Sequence, residues 1–423
     1  MKSLLAAGVS LLALSAVAPV FAQNLPDPAS VSGKIVYYTH WTNYIDNGDF
    51  DKWETAFKAK YPNVEDVEVL GIATYAETMS TRLATGDYGD VLDTPATVSN
   101  AELPDFFLPI TDLDLAKDFY FGDRWATDGE VYGLTFGVNV EGLVYNKEAF
   151  AKAGVTAIPT KYSELKAAYE KLKAAGSYPI VTNLPDGWPL SIWDGAAVAI
   201  SGDADYFNTL VNDDAPFAAD KPYGKSLGIL KDLVSSGLVE EDLTTGHWQD
   251  SKGWLASGKG ATWFLGNWSI NQIIAEGAVL ANLENYDPNN IGYFPFPYDE
   301  SGGPYNVNSG PDYALSVSAN TQNPALAKAW LAFLLTETSL SQQAGFIPGY
   351  KKLEPTLPQL AELASFNPVI IEQKNPSSAY TNITNATGFT GGSGTRDLMN
   401  AADYDAAIAA LNEKWAAAAA RER

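Results

Sequence analysis

The chain has 423 residues, 46% hydrophobic and 12% aromatic, with a formal net charge of -24. That much apolar material can bury a large core, which excludes a disordered chain, while so acidic a balance repels phosphate backbones and anionic headgroups. Cysteine is absent and histidine occurs twice, which excludes a disulfide scaffold, a thiolate metal site, a catalytic thiol and a lipid-modified cysteine anchor.

Residues 1–22 read as a secretory signal. Lys2 supplies the basic start, Leu4 to Ala18 the apolar run, and Val20-Phe21-Ala22 the cleavage site. The run is short of the roughly 20 apolar residues that span a membrane. An exported chain without an anchoring cysteine is expected in the periplasm of a Gram-negative cell.

"GKIVYYTHWTN" predicts a buried strand that ends in polar and aromatic residues. A helix from about Asp49 to Lys60 follows, closed by Tyr61-Pro62. "VEDVEVLGI" predicts a second strand, "YAETMSTRLATG" a helix ending at Gly86, and "YGDVLDTP" a short third strand stopped by Pro95. Strands alternating with helices predict a parallel sheet whose ligands gather at the strand carboxyl ends. His40, Trp41 and Thr42 end the first strand, and Asp93 and Thr94 the third. His40, Trp41, Thr42 and Thr94 are therefore candidate ligand contacts.

"GLTFGVNVEGLVYNKEAF" is a long apolar run. Beyond it, Tyr162, Leu165, Tyr169 and Leu172 share one helical face closed by Gly176. A helix opens at a capping Asn323 with Pro324 in its first turn, and turns Leu326, Trp330, Phe333 and Leu334 inward. "TGGSGT" near Gly391 reads as a flexible loop, and a last helix from Asp405 aligns Ile408, Leu411 and Trp415.

Catalytic signals are weak. "GWLASGKG" has Gly260 where a phosphate loop needs Ser or Thr, and no serine sits in a Gly-x-Ser-x-Gly elbow. Two histidines without metal-ligand spacing leave no metal or other cofactor expected. The 51 acidic residues supply too many carboxylate pairs for a glycosidase argument.

The aromatics carry the positive case. Indole faces pack against the C–H faces of a sugar ring, and short polar residues pair with its hydroxyls. Trp41, Trp188, Trp193 and Trp268 all lie among such residues. Trp53, Trp330 and Trp415 sit on apolar helical faces and are core, and Trp125 and Trp263 are expected there too. His247 is expected at the surface or a cleft edge. Arginine occurs only five times, at 82, 124, 396, 421 and 423. An anionic ligand wants a guanidinium fork, so a neutral ligand is expected, with Arg396 the candidate reader of an acidic group.

Four stretches, in order, carry a resemblance: "GLTFGVNVEGLVYNKEAFAKAGV", "GKGATWFLGNWS", "NIGYFPFPYDESGGPYNVNSGPDYALSVSAN" and "NPALAKAWLAFLLTETSLSQQAGFIPG". Together they resemble the extracellular solute-binding proteins that feed sugars to ABC importers. The resemblance implies two α/β lobes, each a mostly parallel sheet flanked by helices, with a ligand cleft and hinge between them. It groups 33–138 with 291–345 as the first lobe and 139–290 with 346–423 as the second. Trp268 would be the stacking floor. Asn139 stands near where maltodextrin binders carry a carboxylate, and Asn308, Gly310 and Asp312 where relatives present polar contacts. Asp90 would either hold ligand or brace its loop. The implied function is delivery of a neutral sugar, an oligosaccharide, to a permease by lobe closure. The receptor would be a monomer with no membrane anchor and no nucleic-acid partner. A secreted glycan-cleaving enzyme and a receptor for a polyol or other small neutral solute are the alternatives.

Overall fold

The computed structural model describes residues 24–95, 97–389 and 391–423, so the expected secretory signal lies outside the described residues. Two mixed sheets organise the chain. The first contains β1 (Gly33–Thr39), β2 (Val64–Gly71), β3 (Val91–Asp93), β4 (Trp125–Thr127), β5 (Glu130–Thr135) and β11 (Ala314–Val317), ordered β2-β1-β3-β11-β5-β4. The second contains β6 (Gly137–Asn146), β7 (Tyr178–Val181), β8 (Gly260–Gly266), β9 (Ile291–Phe294), β10 (Asn306–Pro311), β12 (Ile347–Pro348) and β13 (Val369–Glu372). Its main path is β13-β10-β6-β8-β7, with β9 and β12 also pairing with β6.

The early strands and helices form where alternation and helical periodicity predict them. Ile35, Tyr37 and Tyr38 of β1 are buried, and the helix Asp49–Lys60 covers the sheet with Phe50, Trp53 and Phe57. The helix Pro324–Glu337 meets it, Trp330 lying 5.1 Å from Phe57. In the second lobe, β6 is buried on both faces by Val140, Leu143 and Val144, which suits a central strand.

Several expectations change. The sheets are mixed and not mostly parallel, because strands arriving from the other lobe run against their neighbours. β11 is antiparallel to both β3 and β5, and β6 is antiparallel to β8, β9, β10 and β12. The stretch 291–345 also divides: β9 and β10 pair in the second sheet and only β11 joins the first. Near Gly391 the chain forms a helix, Gly391–Met399, and not a loop. Close packing explains its small residues, since a Cβ on Gly392 would lie 1.9 Å from the Gly187 carbonyl oxygen. The Asn323 side chain does not cap its helix and instead donates to the Lys34 carbonyl at 2.9 Å.

Only Phe136 separates β5 from β6, and only Asp312 and Tyr313 separate β10 from β11. These crossings are hydrogen-bonded together: Phe136 N–H donates to Tyr313 O at 3.0 Å, and Asp312 N–H to Gly137 O at 2.9 Å.

Candidate functional site

Strand alternation assembles a polar floor. On β6, Asn139 and Glu141 share a face, and on β10 Asn308 and Gly310 do the same. Asn139 pairs with Gly310 across the sheet and Glu141 with Gly266, so two glycines leave space beside two polar side chains. Asn308 Nδ2 donates to Glu141 Oε1 at 2.9 Å, and Asn139 Nδ2 to Asp312 Oδ2 at 3.0 Å. A cavity of about 290 Å³ opens above these residues, with Arg124 and Gln373 also on its wall. Four buried polar atoms on that wall have no hydrogen-bond partner: Arg124 Nη1, Asn139 Oδ1, Glu141 Oε2 and Asn308 Oδ1. Native interiors rarely leave such atoms unmatched, so the group makes this cavity the candidate site for a polar ligand.

Glu141 is pressed against the helix Ile192–Ser201, where a Cβ on Gly195 would fall 2.1 Å from its Oε1. Burial is the main reason its pKa rises to about 8, and the nearby Asp194 charge adds to it against the Asn308 hydrogen bond. Near neutral pH the carboxyl is mostly protonated and can donate as well as accept.

Tryptophans form the opposite wall. Trp188 and Trp268 line the cavity with ring centroids 6.1 Å apart. Trp248 backs both rings, at 4.8 Å from Trp188 and 5.6 Å from Trp268. The buried Trp263 supports Trp248 in turn at 4.8 Å. Local sequence explains the placement. Gly266 has no Cβ, which would sit 2.5 Å from Trp268 Nε1, so the indole can lie over the end of β8. Asn267 is fully buried and anchors the turn, its Oδ1 accepting from Val140 N–H at 2.7 Å and its Nδ2 donating to Gly345 O at 2.7 Å. Asp186 binds the Trp188 turn to the helix Trp248–Ser257 by accepting from Trp248 N–H at 2.6 Å. It also meets the exposed His247 Nδ1 at 2.7 Å, and this hydrogen bond raises the imidazole pKa.

Five of the thirteen candidates thus line one cavity: Asn139, Trp188, Trp268, Asn308 and Gly310. Asp312 stands just behind, holding Asn139. The others lie elsewhere. Trp193 is core, 3% exposed and packed on Phe264 and Phe296. Asp90 braces its loop by accepting from Val36 N–H at 2.8 Å and Thr321 Oγ1 at 2.5 Å. Thr94 is buried against Ser316 Oγ at 2.6 Å. Arg396 pairs with Asp397 at 3.1 Å and is not on the cavity wall.

His40, Trp41 and Thr42 do reach the carboxyl end of β1, but their side chains are engaged at the seam. His40 Nδ1 meets the buried Asp93 carboxylate at 2.5 Å, and its ring lies 4.1 Å from Trp41 and 4.4 Å from Tyr313. Trp41 packs on the crossing residue Phe136 and on Phe346, each at 6.0 Å. Thr42 opens the short helix Thr42–Asp46. Sequence reasoning missed Glu141, Trp248, Arg124 and Gln373. For Glu141 a usable signal existed: it stands two residues beyond Asn139, hence on the same strand face.

A family model for bacterial extracellular solute-binding proteins matches residues 43–339. A multiple sugar-binding protein of Streptococcus mutans is 23% identical over 297 residues, 68% of this chain and 67% of that one. Among solved structures, a manno-oligosaccharide specific solute binding protein of Bifidobacterium animalis subsp. lactis, in complex with mannotriose, superposes with a TM-score of 0.76. Its identity is 22%, over 92% of this chain and 95% of that one. RafE from Streptococcus pneumoniae gives 0.68 at 18% identity, covering 92% and 98%. With the matched family spanning most of the two-lobed fold and both crossings, the chain belongs to the bacterial extracellular solute-binding proteins.

Proposed function

We propose that the protein is a carbohydrate receptor of an ABC importer, binding an oligosaccharide between its lobes and presenting the closed form to a permease. The observation that carries this reading is the cavity itself: two tryptophan faces on one wall, and on the other unpartnered Asn, Glu and Arg atoms that match ring hydroxyls. The named relatives, which include sugar-binding, manno-oligosaccharide-binding and raffinose-binding proteins, support the same ligand class. We assign the first lobe to 33–136 with 313–345 and the second mainly to 137–311 with 346–423, following strand membership.

The receptor breaks no bond. Glu141 is the only carboxyl among the described residues on the cavity wall, whereas glycoside cleavage canonically uses a facing pair. We place the protein in the periplasm as a monomer without a membrane anchor. No described helix is long and apolar enough to cross a membrane.

The test is tryptophan fluorescence with calorimetry against mono- and oligosaccharides, neutral and acidic. Saturable binding without product release is the expected result. Silence across the panel, or hydrolysis products in the mixture, overturns the reading.

A further inference from the structure

Nearly all of the cavity wall comes from the second lobe. Arg124 is the exception, for it immediately precedes β4 of the first sheet. Its carbonyl accepts from Asn100 Nδ2 at 2.8 Å and from Asn375 Nδ2 at 3.0 Å. Asn375 follows β13 of the second sheet, so Arg124 is fixed where the two lobes meet.

The guanidinium at this junction is unusual for this chain in being both partly buried and without an ion pair, since Arg421, likewise without one among the described residues, is exposed. Arg82 pairs with Asp87 at 2.8 Å, Arg396 with Asp397 at 3.1 Å and Arg423 with Asp214 at 2.9 Å. Arg124 makes no ion pair among the described residues, although the chain has 51 acidic side chains. Its exposed sequence neighbour Asp123 acts on it through its charge but makes no ion pair or hydrogen bond with it. Arg124 is half-buried, and its Nη1 is buried without a partner on the cavity wall. Burial lowers its pKa to about 10, which leaves it charged at neutral pH. A buried cationic N–H left without a partner is costly, and the planar guanidinium fork matches a carboxylate in two parallel hydrogen bonds.

Glu141, the one carboxyl on the same wall, does not oppose an anionic ligand strongly. Its Oε1 is occupied by Asn308, and burial holds it mostly protonated below about pH 8.

We propose that the ligand is an acidic saccharide containing a uronate unit, whose carboxylate seats on Arg124 while its ring lies against Trp188 and Trp268. The carboxylate then bridges a first-lobe cation and a second-lobe platform, so the ligand's charge itself favours the closed arrangement. This deepens the carbohydrate reading above and rests on it. Scarce arginine in the sequence argues for a neutral ligand; the placement of one arginine, alone and unpaired over the cavity, argues against it.

The experiment is calorimetry on the mature protein with matched pairs: digalacturonate and its dimethyl ester, glucuronic acid-substituted xylotriose and xylotriose, with mannotriose and raffinose alongside. In at least one pair the acidic member is expected to bind about tenfold tighter or better, as a charge-assisted fork supplies. The advantage should shrink as salt rises. In Arg124→Gln the acidic-to-neutral affinity ratio is expected to collapse towards one, and Arg124→Lys should retain part of it. Melting curves of both variants confirm that they fold. Neutral members that bind as well as or better than their acidic partners overturn this inference alone. So does a ratio that persists in Arg124→Gln. Failure of every saccharide to bind overturns the carbohydrate reading as well.

Discussion

Trp248 and Trp268 lie stacked with ring centroids 5.6 Å apart and planes inclined by 28°, yet only Trp268 reaches the cavity wall. The ring behind the wall fixes the angle of the one on it, as a packed neighbour locks a rotamer. Trp268→Ala is expected to cost about 1–3 kcal/mol of binding, the usual weight of a buried aromatic contact. Trp248→Ala should lose a sizeable part of that without touching ligand. The double variant should then lose less than the sum, because both changes remove one coupled unit. Calorimetry on the cycle decides it, and strict additivity would separate Trp248 from the site.

Trp188 and Trp193 stand five residues apart and are both candidates from the sequence, but they have opposite fates. Trp188 is 47% exposed at the cavity and Trp193 is 3% exposed between Phe264 and Phe296. Trp193→Ala should destabilise the fold by about 3–5 kcal/mol. Trp188→Ala should change stability far less and act on affinity instead. Denaturant melts of the two variants, read beside their binding, distinguish the roles.

This contrast shows what local sequence carries. Periodicity places β1 to β3 and the helices at 49–60, 162–174 and 324–337, because one face of each must be buried. It says nothing about which of two tryptophans faces a cleft, since that depends on long-range packing. Glu141 is hidden for a related reason: β6 is central and buried on both faces, so its polar residues interrupt an apolar run without declaring a surface. His40 and Trp41 reach the predicted strand end, but Asp93, Tyr313, Phe136 and Phe346 engage their rings first. Those partners come from distant segments and cannot be read at positions 40 and 41.

Gly310 supplies a test that does not depend on removing a contact. A Cβ built there meets nothing within 4 Å, and its backbone is not in the left-handed region. Gly310→Leu should therefore fold with little change in melting temperature while filling part of the cavity of about 290 Å³. Affinity is expected to fall by roughly tenfold or more, about 1.4 kcal/mol. Unaltered binding in a correctly folded Gly310→Leu would place the ligand elsewhere.

Glu141 links the site to pH. Its pKa in the folded protein is raised from 4.5 to about 8, first by burial and then by the Asp194 charge. Asp194, raised from 3.8 to about 7 chiefly by burial, acts in the same direction. For a carboxyl raised in this way the unfolded chain ionises first, so the unfolded state gains as pH increases. The contribution to stability is therefore intact below about pH 4.5 and is progressively lost as pH rises to about 8. Glu141→Gln removes that loss while keeping a neutral group of similar shape against Gly195. Its unfolding free energy should fall less between pH 5 and 9 than that of the parent chain, with the residual slope belonging to Asp194 and other groups. Binding should follow the same sign: the parent should lose affinity above about pH 8, as the Glu141 carboxyl gives up its O–H donor. Glu141→Gln, whose amide still donates, should bind with a flatter pH profile. Parallel profiles for the two proteins in both melting and calorimetry would mean that Glu141 is already ionised in the folded state.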